Sequence, residues 1–187
     1  MPNNEPDTAG REPGSPDYRR KGLRHVVLRP IDRSDLQRLT SILGKPGVSR
    51  WWGKHDLVEV ESEFLGGPAT SMAVEIGAEV AGAVQFTEET DPDYRHASVD
   101  IFLADEWQGR GYGPEALKLL VSHLIHSRGH HRITIDPSLA NEHAIRAYAS
   151  VGFRPVGVMR KYERGPDGRW RDSLLMDLLA DDLDLQH

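Results

Sequence analysis

Three glycines stand at alternate positions in Gln108-Gly109-Arg110-Gly111-Tyr112-Gly113, immediately ahead of Pro114 and an apolar periodic run. Without Cβ atoms, the backbone N–H groups of such a turn can close around an anion, and the positive end of the following helix dipole adds to the attraction. A phosphate or pyrophosphate fits best. Two commoner phosphate motifs do not: a Walker loop needs Lys-Ser or Lys-Thr where this chain has Pro114-Glu115, and the dinucleotide fingerprint needs a different glycine spacing with an acidic residue on a second strand. Two carboxylates offer proton chemistry. Asp100 interrupts the apolar run Val99-Asp100-Ile101-Phe102-Leu103, and Asp136 ends the run Arg132-Ile133-Thr134-Ile135 before Pro137. A carboxylate buried without a partner is costly, which favours a task for Asp100, whereas Asp136 before Pro137 reads by itself as a turn-forming residue. His123, His126 and His130 fall at helical spacing, but no carboxylate is placed to complete a metal shell, so they read as a solvated helix end and no metal is expected.

These groups need a scaffold. Residues 99–103 suit a central strand, and the helix after the glycine turn carries Leu117, Leu120, Val121 and Leu124 on one face that must pack on the sheet. Upstream, His25-Val26-Val27-Leu28-Arg29-Pro30 reads as a first strand. A helix follows, capped at Asp32 or Ser34, with Leu36, Leu39 and Leu43 inward and a stop at Gly44 to Gly47. Val48-Ser49-Arg50-Trp51-Trp52-Gly53 reads as a connection rich in large aromatics. Asp56 opens a second helix with Leu57, Val60 and Phe64 at helical spacing, and residues 71–76 and 80–86 pair as strands across Gly77-Ala78-Glu79. The loop Thr87-Glu88-Glu89-Thr90-Asp91-Pro92-Asp93 is the densest acidic patch, read equally well as an exposed turn or as a cation-binding lip. Residues 155–163 and 170–178 form a terminal hairpin about Gly165-Pro166-Asp167-Gly168, and Asp181, Asp182 and Asp184 form a solvated acidic end.

With 187 residues the chain suits one well-filled core, and the absence of cysteine excludes disulfides, thiolate metal sites and a cysteine nucleophile. Residues 1–22, rich in proline and polar side chains, are expected to be a disordered tail ahead of one domain over 23–187. Tail charges cancel, which leaves the formal net charge of -6 on the folded part. That balance disfavours nucleic acid and suits a cationic partner, while also being ordinary for a soluble protein. No signal region and no membrane-spanning run is present, so a cytoplasmic enzyme is expected.

The glycine turn resembles the acyl-CoA-binding motif of the GNAT superfamily of N-acetyltransferases, Arg/Gln-x-x-Gly-x-Gly/Ala, with Gln108, Gly111 and Gly113 in the named places. Downstream, Asn141-x-x-Ala144-x-x-x-Tyr148-x-x-x-Gly152-Phe153 is similar to that family's late helix and the strand after it. The resemblance implies an α/β (α+β) fold: a central mixed, mostly antiparallel sheet, splayed between its two central parallel strands and flanked by helices. It implies acetyl-CoA as cosubstrate, with the pyrophosphate held by Gln108, Gly109, Arg110, Gly111, Tyr112, Gly113 and Pro114. A backbone N–H near Phe102, Leu103 or Ala104 would face the thioester oxygen, and Asn141 would lie near the pantetheine.

By the same resemblance, Asp100 and Asp136 lie against the acceptor amine and Tyr148 lies near the CoA sulfur. Tyr148 also shares an apolar face with Ala144, Ala147 and Val151, so a structural role stays open. Resistance acetyltransferases of the family carry a similar Trp-Trp-Gly, which makes Trp51 and Trp52 candidates for an aromatic wall beside the acceptor, against the alternative of filling the core edge. Glu88, Glu89 and Asp91, with Asp100 and Asp136, are expected around one mouth. The leading expectation is an aminoglycoside 6′-N-acetyltransferase or a close relative, a monomer or homodimer acting on a small cationic amine, with no nucleic acid or membrane as partner. Residues 157–162 and 170–176 also look like the ribosomal-protein N-terminal acetyltransferases, and a non-catalytic acyl-CoA-binding module is the alternative of another class.

Overall fold

The structure, a computed structural model, describes residues 26–184. The tail expected over 1–22, residues 23–25 and the last three residues lie outside the described residues. Seven strands form one sheet in the order β1-β2-β3-β4-β5-β7-β6: β1 (Val26–Pro30), β2 (Thr70–Ile76), β3 (Glu79–Glu89), β4 (His96–Leu103), β5 (Arg132–Ile135), β6 (Arg154–Arg164) and β7 (Trp170–Leu179). Every neighbouring pair is antiparallel except β4 and β5. That is the mixed, mostly antiparallel sheet expected.

Alternation along β4 sorts the two cores. Val99, Ile101 and Leu103 pack with Leu117, Leu120, Val121 and Leu124 of α4 (Tyr112–His126), while Phe102 faces the other side. There it joins Leu39, Ile42 and Leu43 of α1 (Leu36–Leu43), Val48 of α2 (Pro46–Trp52) and Val60 and Phe64 of α3 (Leu57–Gly66). Helix α5 (Glu142–Ala149) lies on the α4 side through Tyr148, and α6 (Ala180–Asp184) follows β7.

The splay is visible in the register. β4 and β5 pair only at Ala97↔Ile133 and Ser98↔Thr134, where the Ser98 and Thr134 hydroxyls also meet at 2.8 Å. Beyond Ser98, β4 continues for five residues without β5. The chain after β5 is drawn to β7 instead: Leu174 N–H donates to Pro137 O at 2.9 Å, and Leu139 N–H to Asp172 O at 2.8 Å. Competing backbone partners thus open the notch.

Several local expectations are corrected. The aromatic connection is helical: Pro46 at the first helical position starts α2, which carries Arg50, Trp51 and Trp52. Neither Asp32 nor Ser34 caps α1; the helix follows Asp35, whose carboxylate takes two hydrogen bonds from Arg29, at 2.7 and 2.8 Å. Asp56 does cap α3, in a reciprocal capping box with Glu59, but Leu57 is exposed. His130 is buried rather than solvated, and its Nε2 lies 2.6 Å from Glu88. At the acidic end, Asp182 pairs with Arg154 at 2.9 Å.

Candidate active site

One cleft of about 610 Å³ runs from the glycine turn through the notch to a group of carboxylates. At its first end, Gly109 and Gly111 have φ of +69° and +83°, the left-handed region that glycine enters without strain. Space is open where a Cβ on Gly109 would stand. Gly111 precedes α4, and no side chain caps this helix, whereas Asp56 and Asn141 cap α3 and α5. The first N–H groups of a 15-residue helix therefore point outward at the end of the cleft, a fit for a pyrophosphate by charge and by donor supply. Replacing Gly111 by valine forces a β-branched residue into φ +83°. The expected result is at least about tenfold weaker acetyl-CoA binding, since strain of this kind costs on the order of 1–3 kcal/mol. Calorimetry showing unchanged affinity would remove the pyrophosphate from this turn.

The middle of the cleft is the notch. Ala104 N–H donates to Ala81 O at 2.8 Å, which makes Ala81 and Ala104 a hydrogen-bonded pair of the β3–β4 ladder. Alternation in an antiparallel ladder then turns Phe102 toward β3 and directs the N–H groups of Ile101 and Leu103 to the open side. Ile101 N–H meets the Asp100 carboxylate at 3.0 Å, so of the three backbone candidates Leu103 is the one aimed into the notch. Gln108 reaches back to hold this strand end, its Nε2 donating to Leu103 O at 2.7 Å. Asn141 lines the cleft while its Oδ1 accepts from Ala144 N–H at 3.2 Å, so it also serves as the cap of α5.

At the far end the structure brings Asp100, Asp136 and Tyr148 together across the notch, with Trp51 and Trp52 on the α2 side. Trp52 packs edge-on to Phe102 at 4.9 Å between centroids and so belongs partly to the core; Trp51 carries Arg50 over its ring at 4.9 Å. Asp100 sits on the concave floor, surrounded by protein yet open to the cleft. Loss of hydration pushes its carboxyl up to about 7, against the Ile101 N–H bond, with Asp136 and Glu163 adding repulsion. The cleft keeps the carboxyl accessible, and an occupant displacing solvent would push it further up. Burial and Glu163 also raise Asp136, opposed by the Tyr162 hydroxyl. Burial, then the two aspartates, push the Tyr148 hydroxyl far up, so it remains a proton donor.

The expected acidic mouth is not formed as read from the sequence. Glu88 and Glu89 belong to β3, opposite Ala97 and His96 at the start of β4, and Asp91 follows them. Asp100 lies three residues on from Ala97, roughly 10 Å along the strand at ~3.4 Å per residue, and alternation turns it to the other face of the sheet. Glu88 is engaged on its own face by Arg128 and His130, at 2.6 Å each. Ala104 is buried, Tyr112 packs edge-on to Trp107, and neither these nor Arg110 lines the cleft. In place of the loop acids stands Glu163 from β6, a cleft residue that sequence reasoning missed. Ser138 was missed as well; its buried hydroxyl lines the cleft without a hydrogen-bond partner. No sequence signal marked either, since Glu163 sits in an ordinary-looking hairpin strand. Among the described residues no group of histidines and carboxylates gathers to hold a metal, and no helix is long and apolar enough to cross a membrane.

A sequence profile described as an acetyltransferase (GNAT) domain matches residues 25–154. The chain belongs to the GNAT acetyltransferase family, and is an acetyl-CoA-dependent N-acetyltransferase. Over 164 residues it is 29% identical to aminoglycoside N(6′)-acetyltransferase type 1 of Klebsiella pneumoniae, spanning 76% of this chain and 79% of that protein. Over 166 residues it is 26% identical to spermidine N(1)-acetyltransferase of Escherichia coli K12, spanning 81% and 84%. In three dimensions it matches, with a TM-score of 0.73 and 25% identity, the crystal structure of the aminoglycoside acetyltransferase AAC(6′)-Ib in complex with coenzyme A and kanamycin, over 86% of this chain and 98% of that one.

Proposed function

We propose that the acceptor is a primary amine of a small polycationic molecule of the aminoglycoside class, acetylated at its 6′-amino group. The observation that carries this reading is the grouping of Asp100, Asp136 and Glu163 around one end of the cleft, with no cationic side chain within 4 Å of any of them among the described residues. Mutually repelling carboxylates without a counter-ion among the described residues favour a multiply charged amine that neutralises them together. A protein N-terminus brings one charge and gains less. The similarity to an aminoglycoside 6′-acetyltransferase points the same way, and the similarity to a spermidine acetyltransferase fits the same charge argument with a linear amine.

Acetyl-CoA supplies the activated acetyl group as a thioester. The chain's own residues supply the rest. Asp100, or Asp136 beside it, accepts the proton that an ammonium must lose before its lone pair can attack; a carboxyl raised toward 7 is matched to that task near neutral pH. Leu103 N–H stabilises the charge that develops on the acyl oxygen. The Tyr148 hydroxyl, kept protonated, donates to the departing thiolate. Trp51 and Trp52 wall the acceptor side.

The test is a thiol-release assay across aminoglycosides, polyamines and N-terminal peptides. Turnover with aminoglycosides is expected, with a KM that rises steeply with salt because exposed charges attract over a Debye length of ~8–10 Å. Turnover confined to peptides would replace this reading with N-terminal acetylation. Binding of acetyl-CoA without thiol release to any amine would leave a non-catalytic acyl-CoA module.

A further inference from the structure

Strand β6 does not run regularly beside β7. Met159 pairs with Ser173 and Glu163 with Arg171, so Arg160, Lys161 and Tyr162 stand opposite Asp172 alone. Extra residues on one strand throw a bulge, and bulges re-aim side chains. At its centre Lys161 has φ +51°, the left-handed region that a lysine rarely adopts. Such backbone persists only where its surroundings over-determine it. Here the Asp172 side chain does so, its Oδ1 accepting the Lys161 N–H at 2.8 Å. The carbonyl of the same residue accepts the Leu139 N–H at 2.8 Å, three residues after Asp136.

We propose that Asp172 is a positioning residue for the acceptor end of the cleft: its side chain and its carbonyl fasten the two segments that carry Tyr162-Glu163 and Asp136, and so fix the carboxylate spacing that the amine meets. Strand β7 separates β6 from β5, so side chains on a regular β6 start roughly 10 Å from β5, two spacings of ~4.8 Å. The bulge turns the Tyr162 hydroxyl toward the Asp136 carboxyl and lets Glu163 line the cleft. Asp172 itself does not line it. The inference rests on the reading that these carboxylates receive the amine, and its test separates the two.

Asp172→Ala removes the acceptor of the Lys161 N–H, while Asp172→Asn keeps an Oδ1 in place. Misplacing groups that orient a substrate costs up to ~10²-fold, so Asp172→Ala is expected to raise the KM for kanamycin by about tenfold with the KM for acetyl-CoA nearly unchanged, and Asp172→Asn to restore it. Lys161→Val, which leaves Asp172 intact but disfavours φ +51°, should reproduce the rise; Lys161→Gly, which tolerates that φ, should not. This pair decides the matter if Asp172→Ala fails to fold. A carboxyl NMR titration without acceptor gives the second readout. In Asp172→Ala or Lys161→Val, Asp136 should titrate lower than in the wild type, because the larger effect of β6 on it is repulsion from Glu163. A kanamycin KM and an Asp136 titration both at wild-type values would overturn the proposal. A parallel rise in both KM values would also overturn it, since that is what general loosening produces. If the wild-type protein does not acetylate kanamycin, the aminoglycoside reading fails separately and the Asp136 titration alone decides whether Asp172 positions this end of the cleft.

Discussion

Tyr148→Phe is expected to lower turnover by about 10²–10³-fold, the range that a positioned proton donor supplies, while leaving folding and acetyl-CoA affinity close to those of the wild type. The ring is 8% exposed and packs edge-on to Phe153 at 6.4 Å between centroids, contacts that phenylalanine keeps. Only the hydroxyl is lost. Burial and the neighbouring aspartates hold that hydroxyl protonated throughout the working pH range, so it can donate to a thiolate but cannot serve as a base. Its hydrogen bond strengthens as charge develops on sulfur, so kcat and kcat/KM should fall together. Thiol release measured beside a thermal melt checks this. A loss of less than about threefold in a folded variant would make Tyr148 a packing residue and leave the thiolate to water.

Asp100→Asn is expected to lower kcat/KM by about 10²–10⁴-fold and to remove the acid limb near pH 7, leaving only the limb set by the acceptor amine. The same substitution should stabilise the fold at alkaline pH. Burial pushes the Asp100 carboxyl up to about 7 in the folded protein, and unfolding returns it to its ordinary, lower value. Between those values the folded state binds more protons, so stability falls as pH rises through the window. An asparagine carries no charge to desolvate, and the difference in Tm between variant and wild type should therefore grow from about pH 4 to about pH 8. Activity and stability then move in opposite directions, as expected where a site is built at a cost to the fold. A pH-independent Tm difference, or a wild-type profile that keeps its limb in the variant, would assign proton removal to Asp136 or to water.

Much of the architecture was legible because short-range rules dictate it. The glycine turn, the apolar face of α4 and the capping signal at Asp56 each concern residues within a few positions of one another. The hairpin of β2 and β3 and that of β6 and β7 followed from turn chemistry between β-rich runs. Asp100, Asp136 and Tyr148 were singled out as carboxylates where apolar runs predict burial and as positions in a recognisable motif. The helical nature of 46–52 was harder to read, since two adjacent tryptophans carry no helical period, and it rests on Pro46 and on packing against Phe102.

The acidic loop shows where such reading stops. Four carboxylates in a row of loop residues look like a cation-binding lip, but whether they reach the site depends on which face of the sheet they occupy. The register Gln85↔Asp100 and Glu88↔Ala97 sets the two carboxylates three residues apart, so strand alternation turns them to opposite faces of the sheet, and Glu88 is held on its own face by hydrogen bonds with Arg128 and His130. Glu163 has the opposite history: unremarkable in sequence, it enters the cleft because a bulge pinned by Asp172 re-aims the strand.

The sequence by itself determined which segments become strands and helices, where a pyrophosphate can be cradled and which strand carries the central carboxylate, because propensity, capping and φ > 0 are properties of neighbouring residues. Only the tertiary structure decided where β4 and β5 part, which backbone N–H faces the notch and which carboxylates meet there. Those depend on competition between distant partners, with β7 taking the hydrogen bonds of 137–139 that β4 leaves unmet, and no local pattern records the outcome.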